Sequence, residues 1–196
     1  MLSYLLKNKK IILGYASPRR QDLLRLIIND FEIKVSDLKE KYPKNLKEKE
    51  ISEFLAIQKS DIFAIKIKTN EILITADTIV IKGDRILNKP KNKIQAKEML
   101  AFLSDSEHKV ITSVCLRNQQ KKLVFSSITK VFFKPLSNAE INYYVEEYKP
   151  LDKAGAYGIQ EWIGLIGITK IEGSYFNVVG LPIAKLYEKL IQFVSF

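Results

Sequence analysis

Several residues that common functional sites require are scarce in this chain of 196 residues. Cys115 is the only cysteine, which excludes an internal disulfide and a cysteine-rich zinc site. His108 is the only histidine, which argues against a histidine-based metal site or a Ser-His-Asp triad. Neither Gly-x-x-x-x-Gly-Lys-Ser/Thr nor Gly-x-Gly-x-x-Gly occurs, so the phosphate loop of P-loop enzymes and the dinucleotide-binding loop are both missing.

Long apolar runs are missing too. No segment approaches the ~20 apolar residues that span a bilayer. The first ten residues place an apolar patch before lysines, which is the opposite order to a secretory signal. The single cysteine fits a reducing compartment. We therefore expect a cytoplasmic protein with no membrane partner.

The composition that remains is that of a globular protein with a basic surface. Hydrophobic residues make up 46% and charged residues 28%, both ordinary values for such a protein. The formal net charge is +10, from 27 lysines and five arginines against 22 acidic residues. A nucleic-acid binder more often clusters arginine and aromatic residues on one element, so this scattered lysine charge indicates only some affinity for anions.

Residues 13–20, Leu-Gly-Tyr-Ala-Ser-Pro-Arg-Arg, follow a short apolar run and lead into a helical pattern. Ser17 stands where an N-cap is expected, and Pro18 stands at the first helical position. The N-terminus of a helix offers free N–H groups and partial positive charge, so Arg19 and Arg20 at that end indicate a site for phosphate. An ordinary capped helix with surface arginines explains the same residues equally well.

The apolar patterns predict a mixed α/β architecture. A predicted hairpin over 110–133 excludes a purely parallel sheet, so we expect a mixed, partly antiparallel sheet flanked by helices. We expect one domain over 1–196, in which loops at 36–49, 88–93 and 149–160 can join two lobes around a groove. The predicted strands are 11–13, 33–35, 72–75, 79–81, 85–87, 110–116, 123–133 and 163–171. The predicted helices begin at 18 and cover 50–68, 92–103 (with Ile94 on its buried side), 137–148 and 181–193.

Few acidic residues stand in an apolar setting, and Asp77 is the clearest of them. It lies between the apolar runs 72–75 and 79–81, where a metal ion or a base role would explain an acid, although a turn at a strand end would also explain it. Glu40, in a lysine-rich loop, reads by itself as a solvated surface charge. Lys59 and Lys89 are unremarkable singly, although lysines often bind phosphate as point charges.

Two loops are rich in small and polar residues. Residues 152–160, Asp-Lys-Ala-Gly-Ala-Tyr-Gly-Ile-Gln, let the backbone approach a ligand closely and carry groups that recognise polar atoms. Residues 172–177 form a second such loop. With histidine and cysteine almost absent, carboxylates, lysines and arginines remain for chemistry. Carboxylate oxygens suit Mg²⁺ or Mn²⁺, and the basic groups suit phosphates.

Together these motifs resemble the Maf family of nucleoside triphosphate pyrophosphatases, also called septum formation inhibitor proteins. The resemblance covers about residues 11–190, and the 17–20 and 152–160 stretches are its most specific parts. Its motifs, in order, are Ser17-Pro18-Arg19-Arg20, Ala76-Asp77-Thr78, Lys89-Pro90, residues 108–112, residues 152–160 and residues 172–182.

The resemblance implies an α/β fold of two lobes around a deep groove, often dimeric. It also implies hydrolysis of a nucleoside triphosphate to the monophosphate and pyrophosphate with a divalent metal cation, Mg²⁺ or Mn²⁺. The expected partners are this substrate and a second copy of the chain in a homodimer, with no stable nucleic acid.

Roles for individual residues follow from the resemblance alone. Asp77 falls on the family's catalytic acid, and Glu40 falls on a loop glutamate that helps to hold metal or water. Positions tied to phosphate binding or base selection fall on Ser17, Arg19, Arg20, Lys59, Thr78, Lys89 and Gln160.

The Asp77-Thr78 pair together with Gln160 is similar to the branch that acts on dTTP and UTP. Tyr15 departs from the family, which commonly has serine there, and Asn88 replaces a frequent glycine. Two other functions stay open: a nucleic-acid-binding or division-regulating protein without turnover, and a purine-directed house-cleaning pyrophosphatase.

Overall fold

The computed structural model describes residues 2–14, 16–35 and 41–195, with the side chain of Ser3 left out. Tyr15 and Glu40 therefore lie outside the described residues. The chain divides into two compact units, each described by itself below. The first comprises Met1–Asp77, Thr112–Ser127 and Gly180–Phe196, and the second comprises Thr78–Ile111 and Ile128–Val179. The groove shared by two lobes stays a prediction.

The sheet is mixed, as the sequence predicts. Its strand order is β2-β1-β3-β5-β6-β7, and β4 pairs with β3. β1 runs parallel to β2 and β3, whereas β4 is antiparallel to β3 and β7 is antiparallel to β6. The strands are β1 (Lys10–Leu13), β2 (Glu32–Ile33), β3 (Glu71–Lys82), β4 (Arg85–Leu87), β5 (Glu107–Arg117), β6 (Lys122–Phe133) and β7 (Ile168–Glu172).

Helices flank these strands. The α-helices are α1 (Leu2–Leu5), α2 (Pro18–Arg25), α3 (Glu48–Asp61), α4 (Lys93–Leu103), α5 (Asn138–Tyr148), α6 (Trp162–Gly167), α7 (Tyr175–Val179) and α8 (Ile183–Ser195). Short 3-10 turns lie at Ala64–Lys66 and Ala154–Ala156. In α5, the Ser137 hydroxyl and the Glu140 carboxylate form the capping box that the sequence predicts.

One buried apolar cluster of the first unit lies at the centre of β1 and β3. Ile12 and Leu73 are buried neighbours across the two parallel strands and pack with Ile67 and the half-buried Phe63. These strands read as continuous apolar runs because both of their faces are covered. This burial fixes the position of Asp77, further along β3.

The second unit has its own core. Val80 and Leu87 from the β3–β4 hairpin pack with Leu100 of α4 and with Tyr144 of α5. Gly155 adopts a left-handed φ of 71°, and a Cβ placed there would lie 3.1 Å from Val80. Glycine is therefore required for the 152–160 loop to close on this core.

The structure corrects the prediction of two strands around Asp77. β3 is one strand from Glu71 to Lys82, so Asp77 lies inside it and makes no turn at a strand end. The strand continues because β-branched residues lie both before and after Asp77, and because the Asp77 carboxylate has an ionic partner in the first unit.

Three further predictions were partly wrong. The helix predicted over 50–68 ends at Asp61, where isoleucines that lower helix propensity follow, and a short 3-10 turn comes after it at Ala64–Lys66. The strand over 163–171 begins only at Ile168, because 162–167 is helical and brings Gly164 close to Ile159. Ile94 is 70% exposed, because the core side of α4 is filled by Ala96, Met99, Leu100 and Leu103.

Candidate active site

The centre of the candidate site is a buried ion pair. Lys59, near the end of α3, places Nζ 2.5 Å from Oδ1 of Asp77. The two side chains are only 4% and 8% exposed. Burying a single charge is strongly unfavourable, whereas a paired and hydrogen-bonded charge is tolerated. The pair therefore keeps a carboxylate and an ammonium group together inside the first unit.

Arg20 fixes the strand next to this pair. Its Nε donates to the carbonyl of Gly180 at 2.8 Å, and Nη1 donates to the carbonyl of Ala76 at 2.8 Å. Arg20 is buried, and it ties α2 to the residue that directly precedes Asp77. The guanidinium thereby brings positive charge beside the backbone of Asp77 and holds the chain just before α8.

The start of α2 is strongly cationic. Its first turn, which the structure describes in full, holds no acidic residue but does hold Arg19 and Arg20. Ser17 has the extended N-cap conformation, and Pro18 opens the helix, as predicted. Within the described residues, the Ser17 side chain makes no capping hydrogen bond, so the N–H groups at this end rely on other partners.

Gly14 lets the loop before α2 run close to β3. Its N–H donates to the carbonyl of Ile74 at 2.8 Å. A Cβ at Gly14 would lie 2.7 Å from Cγ2 of Thr75, closer than real Cβ contacts allow. A residue without a side chain is therefore needed here, because the loop and the strand touch directly.

Three of the predicted residues belong to the second unit. Thr78 follows Asp77 along β3 and is half-buried. Lys89 is exposed after β4, and Gln160 is exposed at the end of the 152–160 loop. The structure thus brings Arg20, Lys59 and Asp77 together in the first unit, with Ser17 and Arg19 on the adjoining helix start.

A polar network that the sequence did not reveal anchors the 152–160 loop. The buried Lys153 forms ion pairs with Asp152 at 2.7 Å and with Glu161 at 3.0 Å. Tyr144 donates a hydrogen bond to Glu161 and accepts one from the N–H of Gly158 at 3.0 Å. Burial and the Glu161 carboxylate raise the pKa of Tyr144, so its hydroxyl remains a donor.

His108 supports the same loop from within the second unit. Its Nε2 is 2.7 Å from the hydroxyl of Tyr157, and its ring stacks on Phe133. Burial, with a smaller effect from the Lys82 charge, lowers the pKa of His108 to about 3. The imidazole is therefore neutral in the folded protein at neutral pH.

This burial predicts a loss of stability in mild acid. The folded-state pKa lies below the ordinary value of 6.5, so the unfolded chain binds a proton that the folded chain rejects. The stabilisation is present above about pH 6.5 and is lost as the pH falls towards 3. We expect the thermal midpoint of the native protein to fall more steeply over this range than that of His108→Phe. Tyr157→Phe, which keeps the imidazole, should retain the steep fall, and parallel curves for all three proteins would contradict the prediction.

The oxygen donors of the site determine which metal ion it can hold. The residues in the described ranges contain no group of three or more histidine, cysteine, aspartate or glutamate side chains that would form a metal cage. Mg²⁺ commonly takes only one or two protein carboxylates and completes its shell with phosphate oxygens and water. The hard carboxylate oxygens of Asp77 fit that requirement. Glu40, the second predicted ligand, lies outside the described residues.

The long-range parts of this site have no local signal in the sequence. The sequence indicates Asp77 as an acid between two apolar runs, and it indicates Arg20 as an arginine shortly after an N-cap. The pairing of Lys59 with Asp77 and the contact of Arg20 with Gly180 join residues far apart in the chain.

Comparisons with known proteins support the family that the sequence motifs indicate. The family model described as Maf-like protein matches residues 10–193. A protein of Flavobacterium johnsoniae named dTTP/UTP pyrophosphatase is 50% identical over 99% of this chain and 100% of its own length. A protein of Christiangramia forsetii with the same name is 48% identical over the full length of both chains.

A more distant likeness concerns a solved structure. The Staphylococcus aureus Ham1 protein aligns with a TM-score of 0.46 and 15% identity, over 64% of this chain and 72% of its own, which is too remote to inform the function.

Within the described ranges, no helix combines the length and apolar character needed to cross a membrane.

Proposed function

The chain belongs to the Maf family, and we propose that it is a nucleoside triphosphate pyrophosphatase that hydrolyses dTTP and UTP to the monophosphate and pyrophosphate. The observation that carries this proposal is the buried Asp77–Lys59 pair, set beside the Arg20 guanidinium. A carboxylate held among cations is suited to hydrolysis of an anionic substrate. The names of the full-length relatives support the choice of pyrimidine nucleotides.

Asp77 is proposed to act on the attacking water. As an ionised carboxylate it can orient the water by accepting a hydrogen bond and can take its proton during attack. Lys59 holds this carboxylate in place and stabilises its charged form, because the pair is almost fully buried. The α–β phosphoanhydride bond then breaks, and pyrophosphate leaves.

The cationic residues are proposed to stabilise charge on the phosphates. Arg19 and the N–H groups at the start of α2 can bind phosphate oxygens directly. Arg20 already donates to two backbone carbonyls, so its contribution comes from its charge and from holding β3 in position. Lys89 is assigned to the same task from the resemblance.

A divalent cation is part of this proposal. Asp77 would hold it, with Glu40 as the second ligand that the resemblance implies. When bound, the metal would polarise the phosphates and lower the pKa of a bound water.

Recognition of the base is assigned to Thr78 and Gln160. The edge of uracil or thymine offers two carbonyl acceptors and one N–H donor. The hydroxyl of Thr78 and the amide of Gln160 can each donate and accept, which suits that pattern. A cytoplasmic location and a homodimer stay predictions, as does the single-domain arrangement.

A panel of nucleoside triphosphates tests the proposal. Purified protein with Mg²⁺ or Mn²⁺ is expected to release pyrophosphate from dTTP and UTP at least about tenfold faster, in kcat/KM, than from dATP, dGTP, GTP or dCTP. Preference for a purine would favour the house-cleaning alternative. Tight, salt-sensitive DNA binding with no turnover of any nucleotide would favour the nucleic-acid alternative.

A further inference from the structure

Thr75 is a polar residue in the middle of the apolar strand β3, and it is fully buried. It is 0% exposed, and its hydroxyl donates to the carbonyl of Ala56 on α3 at 2.7 Å. Ala56 is also fully buried. A hydroxyl in this setting needs a partner, and the helix backbone supplies it. This bond therefore fixes α3 against β3.

The carbonyl that accepts from Thr75 belongs to Ala56, which precedes Lys59 in α3. Ala56 and Lys59 are three residues apart, so they are neighbours on one face of the helix. Along β3, alternate side chains share a face, which places Thr75 and Asp77 on the same side of the sheet. The Thr75 hydroxyl thus connects the same two elements as the Lys59–Asp77 ion pair, one step away.

The methyl group of Thr75 makes a second contact. Cγ2 lies against the backbone of Gly14, so closely that a Cβ at Gly14 would be 2.7 Å away. Gly14 opens the loop that leads to Ser17 and the cationic first turn of α2. One side chain therefore touches the helix that carries Lys59 and the loop that precedes Arg19 and Arg20.

We propose that Thr75 is a positioning residue with two separable functions. Its hydroxyl sets α3 so that Lys59 meets Asp77, and its methyl holds the loop that presents the phosphate-binding end of α2. In its kinetic consequences this inference rests on the proposed function. It assigns the hydroxyl to the chemical step and the methyl to substrate binding.

Two matched variants separate the two functions. Thr75→Val keeps the branched shape and replaces only the hydroxyl with a methyl group, so kcat for dTTP should fall about tenfold while KM changes less than about twofold. Thr75→Ser keeps the hydroxyl and removes the methyl, so KM should rise about threefold with kcat nearly unchanged. Thr75→Ala should show both changes. If the valine variant does not fold, the difference between Thr75→Ala and Thr75→Ser measures the effect of the hydroxyl in the absence of the methyl.

A second measurement does not depend on turnover. In protein labelled with ¹⁵N-lysine, the Nζ resonance of the buried Lys59 is assigned by its loss in Lys59→Met. We expect this resonance to shift or broaden in Thr75→Val and to stay in place in Thr75→Ser. Thermal midpoints of both variants are recorded alongside, because a general packing defect would lower them together.

The outcomes are distinct. The proposal is overturned if Thr75→Val leaves both kcat and the Lys59 resonance unchanged, or if the valine and serine variants have the same defects. If the native protein releases no pyrophosphate from any nucleotide but the Lys59 resonance moves only in Thr75→Val, the positioning of Lys59 stands and the proposed function fails.

Discussion

Asp77→Asn is expected to lower kcat for pyrophosphate release from dTTP by about 10³-fold or more, because the amide cannot accept the proton of the attacking water. Asparagine has the same shape and can still accept a hydrogen bond from Lys59, whose Nζ lies 2.5 Å from Oδ1 in the native pair. The fold should therefore persist, at a loss of roughly 1–3 kcal/mol, since the Lys59 charge loses its counter-ion. Steady-state kinetics and circular dichroism measure the two effects separately.

Asp84→Asn provides the matched control for this substitution. This substitution makes the same aspartate-to-asparagine change in the exposed turn between β3 and β4. Surface substitutions of this kind change stability by about 0.5 kcal/mol or less, and turnover should be unaffected. Turnover of Asp77→Asn within tenfold of the native rate would remove Asp77 from the mechanism.

Lys59→Met is expected to destabilise the protein by about 3 kcal/mol, because it removes the Lys59 ammonium group from its buried ion pair with Asp77. It should also reduce kcat by at least about tenfold, since the carboxylate loses the group that positions it. The double variant Lys59→Met/Asp77→Asn removes both charges. It should be more stable than Lys59→Met alone, because both charges of the buried pair are then gone.

Urea unfolding of the native protein, both single variants and the double variant measures this coupling. Lys66→Met makes the same side-chain change at an exposed position soon after α3, and its stability should stay within about 0.5 kcal/mol of native. A Lys59→Met protein as stable as Lys66→Met, or strictly additive effects in the double variant, would show that the pair contributes nothing.

Local rules were sufficient for the beginning of the site. Ser17 and Pro18 indicated the start of α2, and the structure has both residues in those positions. The Ser137–Glu140 capping box likewise predicted the start of α5. Such signals act within one turn of helix, where the chain itself supplies both partners, and a sequence displays them directly.

Contacts between distant residues could not be predicted in that way. Arg20 reaches Gly180 across 160 positions, and Lys59 meets Asp77 because two elements pack together. The strand predicted over 163–171 is helical up to Gly167. Its apolar residues fit either period, and the close packing of Gly164 on Ile159 decides for helix. Tertiary packing, absent from any local pattern, determined each of these outcomes.

The products formed from dTTP test the central claim most directly. Native protein is incubated with dTTP and Mg²⁺ and followed by ³¹P nuclear magnetic resonance. We expect dTMP and pyrophosphate in equal amounts, and we expect Asp77→Asn to form them at least about 10³-fold more slowly under the same conditions. Accumulation of dTDP and orthophosphate, or dTTP left intact by the native protein, would contradict it.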